Sequence, residues 1–291
     1  MAAWKLGPAL ACGNTVVMKA AEQTPLSILF FANLIKEAGF PPGVVNILNG
    51  HGRVAGAAIA QHMDIDKVAF TGSTATGKEI MKSAAINMKN ITLETGGKSP
   101  LLVFDDADLD QAVKWSHIGI MSNAGQICTA TSRILVQETI YDKFVSAFKK
   151  QVQETSKVGD PFSDETFQGP QVTKAQYERV LSYIEAGKSE GAELLMGGEA
   201  YKNVGGGKGF FVSPTVRNIP LIFVNAKLLV TKQFAGLHES KLQHASLPRG
   251  SLRPLRRHRL VQRRRRSVGE GERYNLRVGI GDLHQGYRES A

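Results

Sequence analysis

Cys128 lies in the stretch Asn123-Ala124-Gly125-Gln126-Ile127-Cys128-Thr129, directly after a glycine-containing turn. A cysteine so placed becomes a strong nucleophile when a helix start or a nearby dipole lowers its pKa. It would serve equally well as a small buried hydrophobe, and spacing alone leaves both readings open. The stretch Thr92-Leu93-Glu94-Thr95-Gly96-Gly97-Lys98-Ser99-Pro100 carries a carboxylate at the end of an apolar run, ahead of two glycines. A glutamate at a strand end can face a cleft and activate water if its surroundings tune its pKa. A solvated turn glutamate has the same pattern. Cys12 has no comparable neighbourhood and is read as structural.

Two further stretches have the residue types to hold a dinucleotide. Phe70-Thr71-Gly72-Ser73-Thr74-Ala75-Thr76-Gly77 sits where an apolar run passes into a helical pattern. Backbone N–H groups at a helix N-terminus, with no Cβ at glycine to block approach, suit a pyrophosphate. The run is not the usual G-x-G-x-x-G fingerprint, and glycine often sits in such turns for geometry alone. Lys19 ends another apolar run, with Glu22 three residues on. Together they could hydrogen-bond ribose hydroxyls. An exposed ion pair near a helix start has the same spacing.

The elements that must position these residues alternate. The pattern predicts a short helix over 3–10, a strand over 15–19, and a helix to about 38 with Thr24 as N-cap and Pro25 at its first position. A strand over 44–48, a helix over 54–61, a strand over 67–71, a helix opening at 72–77 and a strand over 91–94 follow. Strands spaced by helices imply right-handed crossovers and a parallel, doubly wound, Rossmann-like sheet with ligands at the carboxyl ends of its strands. Beyond Pro100 come an apolar run at 101–104, a helix over 109–121, a strand over 132–137, helices over 140–154 and 174–190, and a strand over 193–196. These read as a second α/β lobe. The periodicities fade beyond about Pro220.

A chain of 291 residues with 42% hydrophobic content can bury one or two cores. No run approaches the ~18 apolar residues a membrane helix needs. The opening Met1-Ala2-Ala3-Trp4-Lys5 has no basic region followed by an apolar core, so no secretory signal is expected. Two cysteines argue against a disulfide scaffold and for a reducing compartment. A cytoplasmic protein without a metal site is the expectation. The net charge of +10 is unevenly placed. Residues 249–291 hold 12 arginines, 4 acidic residues and no lysine, whereas residues 1–248 hold 20 lysines, 4 arginines and 22 acidic residues. The body is therefore close to neutral.

Taken together the motifs resemble the aldehyde dehydrogenase superfamily. Trp4-Lys5-Leu6, Gly13-Asn14-Thr15-Val16-Val17, Lys19 to Glu22, Gly43-Val44-Val45-Asn46, Phe70 to Gly77, Leu93 to Pro100 and Gly125-Gln126-Ile127-Cys128 match that family's motifs in order and separation, over residues 1 to about 220. The resemblance implies a dinucleotide-binding domain over 1–97 and a catalytic domain over 98–220, both incomplete. It implies that Cys128 adds to an aldehyde, that hydride passes to NAD(P)+, and that water deprotonated by Glu94 hydrolyses the thioester. The Cys128 N–H would supply half of an oxyanion hole. Lys5 matches a lysine of the family's proton relay. Lys19 and Glu22 would meet the ribose, Thr71 and Gly72 the nicotinamide side, and Ser73 with the following turn the pyrophosphate. Gly77 and Gly96 complete the cofactor set. Glu22 resembles members that prefer NAD+ over NADP+, because a carboxylate repels a 2′-phosphate. Complete members are expected to be homo-oligomers. Ala20 stands where proline is common and Thr95 where leucine is common; neither removes a functional group.

The family's oxyanion asparagine and first cofactor strands precede its W-K motif, and this chain is expected to lack them. Its second cofactor motif, E-E-x-F-G-P, should follow Pro214-Thr215-Val216 and is absent. Read one base later with synonymous codons, Arg249-Gly250-Ser251-Leu252-Arg253-Pro254 can encode E-E-V-F-G-P, and the register continues to residue 290. Residues 221–291 are thus expected to be a non-homologous, disordered tail, joined by an intron or junction error and out of frame from about Arg249. On this reading the chain as written lacks aldehyde turnover. The competing reading is a non-catalytic protein that binds RNA or anionic surfaces through its arginine-rich tail, with salt-dependent affinity.

Overall fold

The computed structural model describes residues 1–219 and 226–231, the last six through their backbone. The first half is made of βαβ units. Strand β1 (Val16–Lys19) pairs in parallel with β2 (Val45–Leu48), and helix α2 (Leu26–Glu37) crosses between them. Strand β3 (Lys67–Gly72) pairs in parallel with β4 (Asn90–Thr95) through α4 (Thr74–Ala84). Helix α1 (Ala2–Ala11) leads into β1, and a π-helical turn at Gly52–Gly56 leads into the short α3 (Ala57–Gln61). No ladder joins the two pairs among the described residues. The N-cap expected at Thr24 is not made. Pro25 already has helical angles (φ −81°, ψ −25°) and its carbonyl accepts from the Leu29 N–H, while no side chain caps the helix. A proline at that position has no N–H to satisfy, which removes one need for a cap.

The second half holds the larger core. Strands β5 (Pro100–Val103), β6 (Arg133–Gln137), β7 (Glu193–Met196), β8 (Val216–Ile219) and β9 (Ala226–Thr231) form one sheet in the order β5-β6-β9-β8-β7. Only β5–β6 is parallel, with α5 (Leu109–Met121) as the crossover; the remaining ladders are antiparallel. Asp108 caps α5 by accepting from the Gln111 N–H. On β6 the side chains alternate, and Ile134 and Val136 are fully buried. They pack with Val103, Ile120 and Met121 against α6 (Tyr141–Thr155), whose Phe144, Phe148 and Val152 form a stripe at helical spacing. Helix α7 (Lys174–Ser189), capped by Thr173, carries a satellite cluster of Val180 and Ile184 with Val212.

The expected α/β architecture is present, with two qualifications. The second lobe mixes parallel and antiparallel pairing, and the six residues that separate β8 from β9 are too few for a parallel crossover. The expectation of a structureless chain from residue 221 fails at Ala226–Thr231, which pairs with both β6 and β8. The run Leu228-Leu229-Val230-Thr231 has the branched and apolar composition favoured in strands. The frame change expected from about Arg249, and the arginines of the competing RNA-binding reading, fall on residues outside those described. No helix among the described residues is long and apolar enough to cross a membrane.

Candidate functional site

Glu94 and Thr71 are the last residues but one of neighbouring parallel strands and are register partners, so their side chains leave the same face of the ladder. Lys67 Nζ, on that face, donates to Asn90 Oδ1 and Thr92 Oγ1. Helix α1 brings a second ammonium to this face: Lys5 Nζ donates to Thr71 Oγ1 at 2.7 Å. Lys5 and Thr71 are half-buried and Glu94 is exposed. A lysine, a threonine hydroxyl and a carboxylate thus lie at one end of the β3–β4 ladder.

Cys128 is half-buried in a turn that leads into β6. No helix starts at Cys128, and the next element is strand β6. What precedes it is a strained turn. Asn123, Ala124 and Gly125 all adopt left-handed backbone, at φ 52°, 53° and 72°. For alanine that region costs about 1–2 kcal/mol, so the surroundings must enforce it. Gln126 does much of this: its N–H and its Nε2 both donate to the Asn123 carbonyl, and its Oε1 accepts from the Val172 N–H at 3.0 Å. Asn123 Nδ2 returns a bond to the Gln126 carbonyl. The Cys128 N–H meets no acceptor among the described residues.

The glutamate and cysteine loops touch. A Cβ on Gly97 would stand 3.3 Å from the Cys128 carbonyl oxygen, so glycine there permits the approach. Arg133, the first residue of β6, donates from Nε (3.0 Å) and Nη2 (2.8 Å) to the Lys98 carbonyl. Its own N–H donates to the Ser99 carbonyl. Sequence reasoning missed Gly97, Gln126 and Arg133. The available signal for Arg133 was that residues 1–248 hold only 4 arginines against 20 lysines.

At the end of β1, Lys19 Nζ donates to the carbonyls of Ala20 and Gly50 and to Glu22 Oε2 at 3.0 Å. The Lys19 hydrogen bond, assisted by backbone N–H groups that include Gly52, holds the Glu22 carboxyl below the usual range, against a small opposing cost of burial. Ser73 caps α4, accepting from the Thr76 N–H. At Gly72 a Cβ would stand 2.5 Å from the tip of the Phe70 ring, so another residue there would have to displace that ring. Gly77 is buried against Leu93 and Thr95, although a methyl there would make only ordinary contacts. Gly96 has neither positive φ nor close neighbours, so the described structure itself does not require glycine there. The structure brings Lys5, Thr71 and Glu94 together, and Lys19 with Glu22.

Known proteins are similar to this chain in sequence and in fold. Residues 1–219 match the Aldehyde dehydrogenase family. An aldehyde dehydrogenase of Davidiella tassiana is 58% identical over 217 residues, covering 74% of this chain and 43% of that protein. One from Emericella nidulans is 59% identical with the same coverage. The NAD+ complex of aldehyde dehydrogenase from Bacillus cereus superposes with a TM-score of 0.71 at 53% identity, covering 75% of this chain and 43% of that one. The chain therefore spans less than half the length of these relatives. With a family match across three quarters of its residues and the motifs standing where the strands end, the chain belongs to the aldehyde dehydrogenase family.

Proposed function

We propose that the complete enzyme oxidises an aldehyde to a carboxylic acid with NAD(P)+, and that Cys128 and Glu94 carry the covalent and hydrolytic steps. The observation that carries this reading is the contact between the loops bearing these two residues, at Gly97 and Cys128. The Cys128 sulfur would attack the aldehyde carbon to give a thiohemiacetal. Its N–H, which meets no acceptor among the described residues, would donate to the developing oxyanion. The resulting thioester keeps the acyl group activated until water, deprotonated by Glu94, releases the acid and the thiol. Lys5 and Thr71, on the Glu94 face, would pass that proton outward.

The residues present fit a dinucleotide. Lys19 and Glu22 offer a donor beside an acceptor, as two vicinal ribose hydroxyls require. The capped N-terminus of α4, at Ser73 with Gly72 before it and Gly77 after, would take the pyrophosphate. Thr71, Gly72 and Gly96 would flank the nicotinamide side. When bound, the nicotinamide would supply a hydride acceptor. The carboxylate of Glu22 favours NAD+, and relatives solved with NAD+ support that choice. We assign the protein to the cytoplasm and the complete enzyme to a homo-oligomer. Formation of NADH from a small aldehyde by the complete enzyme, lost in Cys128→Ala, tests the reading. Retained turnover in that variant would end it.

A further inference from the structure

We propose that Arg133 is a positioning residue that sets the distance between the base loop and the nucleophile loop. The proposal rests on the roles given above to Glu94 and Cys128. Arg133 lies five residues after Cys128, and the carbonyl it grips, that of Lys98, lies four residues after Glu94. Two guanidinium N–H groups converge on that one oxygen, and the Arg133 N–H holds the next carbonyl, of Ser99. Three hydrogen bonds from one residue therefore fasten the turn Gly96-Gly97-Lys98 to the start of β6. Gly97, inside the fastened turn, abuts the Cys128 carbonyl. Arg133 has no carboxylate partner among the described residues. What its rigid fork supplies is geometry. The acylation step needs only the sulfur and its oxyanion donors, whereas hydrolysis also needs Glu94 held at a fixed distance from the thioester. Loosening the clamp should therefore slow the second step and spare the first.

The test uses the 1–291 chain carrying Cys12→Ser and an activated ester, 4-nitrophenyl acetate, which needs no nucleotide. The Cys128 thiolate attacks the ester carbonyl, 4-nitrophenolate leaves, and an acetyl thioester remains. Water then attacks the thioester, giving its proton to Glu94, and acetate leaves as the thiol re-forms. Nitrophenolate release reads acylation, and intact mass reads the lifetime of the acetylated protein. In Arg133→Met the lifetime should lengthen about tenfold while acylation stays within about twofold. Arg133→Lys should recover part of the loss, and Glu94→Gln combined with Arg133→Met should be no slower than Glu94→Gln alone. An unchanged lifetime, an equal slowing of both steps, or additive effects in the double variant would overturn the proposal. If Arg133→Met loses its helical circular dichroism, Arg133→Gln is read by the same criteria. If Cys128 is not acetylated, or Glu94→Gln leaves the lifetime unchanged, the assignment of those residues fails first and this proposal falls with it.

Discussion

At the scale of the residue, the Lys19–Glu22 pair shows how a shared hydrogen bond sets charge. Lys19 spends donors on two carbonyls as well as on Glu22, so the ammonium is anchored and the carboxylate follows it. The folded carboxyl titrates below its ordinary value of 4.5, chiefly through the Lys19 bond. The pair's contribution is therefore complete above that value and disappears as pH falls through the lowered folded value. Carboxyl NMR titration of Glu22 should show this depression vanish in Lys19→Met. Because the carboxylate repels a 2′-phosphate, Glu22→Gln should shift relative affinity toward NADP+ by about tenfold, measured by titration of both nucleotides. No shift would show that Glu22 does not face the ribose.

At the scale of the element, helix starts and buried stripes position the site. Ser73 satisfies an N–H at the start of α4, and Asp108 and Thr173 do the same for α5 and α7. Asp108→Ala should cost about 1 kcal/mol of stability in a denaturant titration. Phe148 is fully buried and stacked on Phe144 with ring centroids 5.7 Å apart. Phe148→Ala should cost about 3–5 kcal/mol, enough to expose the core of the second lobe. Helix α5, which ends at the cysteine turn, carries the buried His117, whose Nε2 contacts Ser156 Oγ at 2.7 Å and Thr155 Oγ1 at 2.9 Å. Burial pushes its pKa below 6.5. The unfolded chain then binds this proton more readily, so the associated stability is complete above pH 6.5 and is lost progressively as pH falls below it. Thermal melts of His117→Gln should lack that acid-side decline.

At the scale of the whole molecule, the two halves differ in how well they are built. The main core cluster lies wholly between Leu101 and Val216, whereas residues 1–97 bury only Leu6, Ala20, Ala60, Val68 and Ala84 as hydrophobics. Trp4, Leu26, Phe30 and Met88 stay largely exposed. Hydrogen exchange should therefore be slowest in α5, α6 and β6 and fast through α2. Equal protection in both halves would contradict this. Much of the chain was legible in one dimension, because hydrophobic period and turn residues are local. The parallel pairing of β3 with β4, the helix at 109–121 and the motifs around Glu94 and Cys128 are of this kind. The left-handed turn at Asn123–Gly125 was not legible, since part of what holds it is the bond from the distant Val172 N–H to Gln126. The insertion of Ala226–Thr231 between β6 and β8 is equally non-local, because a strand's partners are chosen by sheet edges far away in the chain. Residue type and spacing thus determined which groups could react and which strands would carry them. Only the tertiary structure decided that Gly97 meets Cys128 and that Arg133 grips the turn beyond Glu94, for those distances depend on how loops from separate strands pack together.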